Sequence, residues 1–145
     1  MVFIRGLTKV GVRVRLEICF KEKCVRTNAL VNSGYEASEN ELAIPLDLAK
    51  ELGVWPMDEL IVDEAFTAGG YTPVYVVKEK ALVKLLINDR SVEDIACTLI
   101  VNPYIDEPLI SDHLIDSLGI IVVSFSRGLW RHRSDPVDVV RESSI

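Results

Sequence analysis

The chain has 145 residues, 49% hydrophobic and 26% charged, with a formal net charge of −6. That is enough chain and enough apolar side chain for one globular domain with a filled core. The acidic balance disfavours phosphate backbones, no apolar run approaches the roughly 20 residues of a membrane span, and the first residues lack the basic and apolar regions of a secretory signal. Nucleic acid and membrane are therefore not expected as partners, and a cytoplasmic location is.

The one basic cluster, Arg127, Arg131, His132 and Arg133, is followed by Asp135, Asp138 and Glu142, which offset it. The three cysteines, Cys19, Cys24 and Cys97, are an odd count without zinc-type spacing, which argues against a disulfide framework. Glutamine is absent while Glu, Lys and Arg are plentiful, a bias consistent with a thermophilic source.

In chain order, the even positions Val10, Val12, Val14, Leu16, Ile18 and Phe20 are apolar, while Arg13, Arg15 and Glu17 take odd positions. This period of two predicts a half-buried strand with the odd residues outward. A turn at Lys21-Glu22 sends the chain back through Val25 to Val31, and a two-residue turn sets Cys19 opposite Cys24. Free thiols are the favoured expectation for an intracellular chain, with a cross-strand disulfide as the alternative.

Asn32-Ser33-Gly34 opens a polar loop. Pro45 to Leu52 then carries Leu46, Leu48, Ala49 and Leu52, with Pro near the first turn and Gly53 past the end, which predicts a short helix. Glu59 to Ala65 reads as a strand, Thr67 to Thr72 as a glycine-containing turn, and Val74 to Ile87 as a long strand or a pair of strands. Asn88-Asp89-Arg90 turns the chain into a strand over Val92 to Val101. Ser111 to Leu118 predicts a second short helix with Ser111 as N-cap, Asp112 in its first turn and Gly119 as its stop. Ile120 to Phe125 and Leu129 to His132 read as a strand pair, and residues 134–145 as a polar tail.

The segment Ala29-Leu30-Val31-Asn32-Ser33-Gly34-Tyr35, then Ala43-Ile44-Pro45 and a helix ending Leu52-Gly53-Val54, resembles the retropepsin-like aspartic peptidases. Their signature is an apolar strand running into Asp-Thr/Ser-Gly. Glu107-Pro108-Leu109-Ile110-Ser111, followed by Leu114 and Leu118-Gly119-Ile120, is similar to the family's second element. The resemblance spans roughly residues 10 to 133 and implies a mainly β domain over residues 1–133, a retropepsin-like closed barrel with one or two short helices. Each half of such a domain would place a strand, a loop and a helix alike, although the sequence has no repeat of fixed period.

The resemblance further implies a homodimer acting on a peptide or protein substrate, each subunit supplying half a site. Asn32 takes the catalytic aspartate position, Ser33 the brace and Gly34 the tight turn, while Phe66, Thr67, Ala68, Gly69, Gly70 and Tyr71 form a substrate-binding flap. Val2 to Ile4 and Val137 to Val140 are candidates for dimer-forming edge strands. Two carboxylates close together share one proton and activate a water between them. An amide at position 32 cannot act as that base, and in a homodimer both copies lack it together.

Three readings follow. The chain is an Asp-Ser-Gly peptidase converted to an inactive form by Asn at position 32. Alternatively, Asn32 is native to a catalytically dead relative that binds peptides or a partner protein. In the third, the fold is different and Asn32-Ser33-Gly34 is only a turn.

Elsewhere, Ser111-Asp112-His113 with Asp116 has the residue types of a metal or hydrolytic site, but a solvated helix start accounts for them. His132 is expected on the surface between its arginines, and Trp55 in the core or at an edge. No metal and no cofactor is expected, because no Cys-His pair has ligand spacing and Gly69-Gly70 lacks a phosphate-loop context.

Overall fold

The computed structural model describes residues 10–90 and 92–144. Strand β1 (Arg13–Phe20) pairs antiparallel with β2 (Lys23–Val31) around the predicted two-residue turn, with Lys21 at a φ of 55°. The expected even-numbered stripe is buried from Val12 to Phe20. Val10 departs from it at 63% exposure.

Cys19 and Cys24, directly opposed across this hairpin, are joined as a disulfide, which corrects the expectation of free thiols. The clasp is local: two residues of turn bring the side chains within bonding reach, whatever the total cysteine count. Cys97 is free and buried, and burial pushes its thiol up to about 12.

Strand β3 (Glu41–Ile44) leads into helix α1 (Leu46–Leu52), which ends on Gly53 at a φ of 77° as its start and stop signals predict. Strands β4 (Ile61–Thr67) and β5 (Gly70–Val76) form a hairpin whose turn is only Ala68-Gly69, tighter than the predicted Thr67 to Thr72. The apolar run after Val74 is a pair of strands, with β6 (Ala81–Leu85) separate from β5. Strands β7 (Ile95–Val101) and β8 (Leu109–Ile110) precede α2 (Asp112–Ser117). Ser111 caps α2 by accepting a hydrogen bond from the Leu114 N–H at 3.3 Å. Strands β9 (Ile120–Ser124), β10 (Leu129–His132) and β11 (Arg141–Glu142) make a separate three-stranded sheet with β10 in the middle.

The larger sheet closes on itself. Its pairings run β3–β8–β2–β1–β6–β7, and β7 returns to β3, so six strands form a ring from which the β5–β4 hairpin projects. Closure removes the free edges that an open sheet presents. The ring is built from two similar halves. β2 runs parallel beside β8 through Leu30 and Val31, and β7 runs parallel beside β3 through Ile100 and Val101. In each half the strand leads to an asparagine turn, then a second strand, then a short helix with a left-handed glycine just beyond it, Gly53 or Gly119. The main core fills the ring with Val14, Leu16, Ile44, Leu99 and Ile110 and extends to Leu52, Leu114 and Trp130.

Two side chains depart from their expected placement, Arg13 through partners far away in sequence and His132 beside its near neighbours Ser134 and Asp135. Arg13, assigned outward, is 1% exposed. Its Nε and Nη2 donate to the two carboxylate oxygens of Glu107 at 2.7 and 2.9 Å, and the Ser143 hydroxyl accepts from its backbone N–H at 2.8 Å. His132, expected on the surface, is buried; burial holds its imidazole below the usual range, against the pull of nearby Asp135.

The segment after Ser134 returns to the body of the domain. Asp135 lies buried, accepting from Arg141 at 2.8 and 2.9 Å, with Arg90 3.0 Å away, and the Ser144 N–H donates to Arg13 O. Val137 to Val140 form no strand, and Val2 to Ile4 lie outside the described residues.

The Arg141 hydrogen bonds hold the Asp135 carboxyl well below the usual carboxylate range, despite its burial. A depressed folded-state value means the stabilisation is present above the ordinary carboxylate pKa of about 4 and is lost as pH falls below it. Thermal unfolding followed by circular dichroism is therefore expected to show a steep loss of stability below about pH 4. Asp135→Asn should be less stable at neutral pH and should flatten that acid limb.

Candidate functional site

The candidate site is built where β2 ends. The Val31 N–H donates to Val12 O at 2.9 Å and the Leu30 N–H to Pro108 O at 2.9 Å, so the last residues of β2 are gripped from both sides. Immediately beyond, the Asn32 carboxamide oxygen accepts from the Gly34 N–H at 3.1 Å, and the Tyr35 N–H donates to Asn32 O at 3.0 Å. These two bonds fold residues 32–35 into an Asx turn, the conformation for which Asn and Asp are suited.

The same bonds orient the amide. With its oxygen held by Gly34, the Nδ2 group takes the other position, where it is buried and, among the described residues, without a hydrogen-bond partner. Asn32 is 9% exposed and lines a pocket of about 260 Å³ with Val10, Gly11, Leu30, Ser33 and Phe125. An unpartnered buried N–H group typically costs about 1–3 kcal/mol, so the site is polar and unsatisfied at an apolar mouth.

Ser33 and Gly34 are both exposed. Among the described residues the Ser33 hydroxyl makes no hydrogen bond, so the Gly34 and Tyr35 N–H groups brace the turn. The following loop is pinned to the start of α2. The Asp112 carboxylate accepts from the Ala37 N–H at 2.9 Å, its N–H donates to Tyr35 O at 2.8 Å, and the Ser111 hydroxyl accepts from the Glu41 N–H at 3.1 Å. Ser111 and Asp112 thus serve as loop anchors and helix cap. The Tyr35 hydroxyl donates to Glu41 at 2.8 Å, and burial first, then the Glu41 charge, raise its pKa.

The counterpart turn, which the sequence reading missed, lies at Asn102. Its side-chain oxygen accepts from the Tyr104 N–H at 3.0 Å, and the Ile105 N–H donates to Asn102 O at 3.4 Å. The signal available was an apolar strand ending in Asn, Ile100-Val101-Asn102, which repeats Leu30-Val31-Asn32. Asn102-Pro103-Tyr104 lacks the small residues that marked the first turn.

The hairpin stands apart from the pocket. Phe66 and Tyr71 are 78% and 72% exposed and pack edge to face at 5.3 Å beside the tip. The Thr67 hydroxyl donates to Gly70 O at 2.8 Å and accepts from the Gly69 N–H at 3.3 Å, closing the turn around Ala68. None of residues 66–71 lines the Asn32 pocket. The base of the hairpin is nearer: Ala65, Val74 and Val76 share a second apolar cluster with Leu30, Tyr35, Ile100 and Leu109, which flank the two asparagine turns. Trp55 packs edge to face on Tyr75 at 4.9 Å behind that base.

A wider cleft of about 610 Å³ is lined by Arg15, Arg26, Asn28, Asp89, Trp130 and Arg141, away from Asn32. Its charges are largely matched, with Arg26 on Glu17 at 3.1 Å and Arg141 on Asp89 at 3.2 Å. Among the described residues no group of three or more His, Cys, Asp or Glu is placed to hold a metal ion, and no helix is long and apolar enough to cross a membrane. No protein-family model matches the chain, and comparison with curated proteins finds no match.

Proposed function

We propose that the chain is built on the plan of a retropepsin-like aspartic endopeptidase, with Asn32 at the catalytic aspartate position of a two-fold site completed by a second copy. The observation that carries this reading is the Asn32 turn: Asn32 lines a pocket, its side-chain oxygen is fixed by the Gly34 N–H, and its Nδ2 is buried with no partner among the described residues. The six-strand ring, its two strand–turn–helix halves and the projecting β4–β5 hairpin support it as well.

An Asp of the same shape would keep one oxygen on Gly34 and leave the second free. Across a two-fold axis, two such oxygens share a proton because both cannot ionise at close range. The carboxylate takes a proton from water as the water oxygen attacks the peptide carbonyl carbon. The carboxylic acid partner supplies the proton that departs with the amine. Asn32 replaces the free oxygen with an N–H donor that cannot accept that proton, so peptide hydrolysis does not run in the chain as it stands.

A second reading, a peptide- or protein-binding module, is favoured by the same Nδ2 group. Two N–H bonds without partners suit a carbonyl oxygen of an extended, intact peptide. In both readings residues 66–71, which do not line the Asn32 pocket of one copy, would cover a ligand only in the completed two-fold site, no cofactor takes part, and the acidic surface leaves nucleic acid out. The test is Asn32→Asp, assayed for cleavage of a mixed peptide library from acid to neutral pH. Cleavage blocked by a hydroxyl-bearing statine supports the endopeptidase plan. A folded, dimeric Asp form that binds peptides without cutting them supports the binding module instead.

A further inference from the structure

The cleft of about 610 Å³ between the two sheets holds two opposite charges that the fold leaves unmatched. One wall is the outward face of β1 and β2, with Arg15, Arg26 and Asn28, and the other carries Arg141 and Glu142 of β11. Leu86, Ile87 and Trp130 add apolar lining, the last two no more than 9% exposed. Arg26 and Arg141 are already engaged, the first by Glu17 and the second by Asp89 and Asp135. Arg15 and Glu142 are not: among the described residues neither side chain forms an ion pair, and Arg15 makes only a 3.4 Å contact to the Asn28 carboxamide oxygen.

We infer that this cleft is a binding site for a short zwitterionic peptide, a di- or tripeptide with free termini and apolar side chains, its carboxylate on Arg15 and its ammonium group on Glu142. The inference stands apart from the Asn32 reading, because the two pockets share no lining residue. Charge selects the ligand. The guanidinium fork of Arg15 fits a carboxylate or a phosphate equally well in shape. A phosphate, however, would bring up to two negative charges to a cleft with one unengaged cation and one unengaged carboxylate, and Glu142 opposes it. One free charge of each sign is the complement of a zwitterion. Arg26 strengthens the carboxylate end: the register sets Arg15 opposite Asn28 and Glu17 opposite Arg26, so all four share one face, and the Glu17 contact at 3.1 Å occupies only the Arg26 Nε. The cleft is also of ligand size, inside the range of about 300–1,000 Å³ usual for small-molecule sites, and its apolar lining receives the peptide's side chains.

The test is isothermal titration calorimetry of the full chain with leucyl-leucine, and with the same dipeptide either N-acetylated or C-terminally amidated. The free dipeptide should saturate the wild-type chain, and each cap should weaken binding roughly 10-fold in Kd, the effect of losing one charge-assisted contact. Arg15→Gln should bind the free dipeptide and its amide alike while still discriminating against the acetylated form, and Glu142→Gln should do the reverse. Misfolded chain cannot produce that crossed pattern, and both side chains are exposed, so neither substitution opens the core. Inorganic phosphate at the same concentration should not displace the dipeptide. Wild-type binding indifferent to both caps, or no saturation up to about 10 mM, overturns the inference. Discrimination that survives both substitutions overturns it too, because the dipeptide then sits elsewhere, the Asn32 pocket included. Displacement by phosphate would make the cleft a general anion site and would equally refute the zwitterion reading.

Discussion

On the proposed endopeptidase plan, Asn32→Asp is expected to give peptidase activity, with cleavage rising at least about 10²–10⁴-fold over the Asn form, the span that a positioned acid–base pair contributes. The substitution is close to isosteric and keeps the acceptor that the Gly34 N–H requires at 3.1 Å, so the turn should persist. Its pH dependence follows from the proposed dyad. Activity needs one carboxylate charged and its mate protonated, so the profile should be bell-shaped, falling once both are protonated and again once both are ionised. The acid limb has a second source. The folded chain holds Asp135 ionised well below the usual carboxylate range while the unfolded chain takes up that proton below about pH 4, so stability falls there and must be measured separately from rate. A form that folds, dimerises and never cleaves would falsify the endopeptidase plan.

Arg13→Ala is expected to be the most destabilising single substitution in the fold, at about 3–5 kcal/mol, read as a shift of the urea midpoint. The guanidinium is 2% exposed and holds both oxygens of a Glu107 carboxylate that is itself 13% exposed, and removing it leaves that charge buried and unpaired. The location adds to the effect. Glu107 lies just before β8, whose neighbour Pro108 accepts from the Leu30 N–H, while Val12, beside Arg13, accepts from the Val31 N–H. One ion pair therefore ties together both grips on the strand end that carries Asn32. The double substitution Arg13→Met with Glu107→Leu removes both charges and should recover most of the loss. A single variant within about 1 kcal/mol of the parent would show that the pair is not a structural staple.

What could be read from the sequence was local. Alternation from Val12 to Phe20 identified β1, and the caps at Pro45, Gly53, Ser111 and Gly119 bounded both helices. Asn32-Ser33-Gly34 marked a turn that the structure bears out in its hydrogen bonds. What could not be read was set by distant chain. Arg13 is buried by partners 94 and 130 residues away, so strand periodicity assigned it to solvent. Ring closure depends on β3 meeting β7, which no local pattern encodes. The Asn102 turn was hidden because Pro103 and Tyr104 stand where the first turn has Ser33 and Gly34. The disulfide was geometrically legible from the Cys19–Cys24 register, and expectations about compartment overrode it.

The central claim is that position 32 is half of a two-fold site, and the distance between the two copies of that residue tests it most directly. A crystal structure of the assembled chain should place the two Asn32 amides across a two-fold axis within hydrogen-bond reach, about 3 Å. An assembly that leaves each Asn32 without its mate, or a chain that crystallises and sediments as a monomer, would contradict the account.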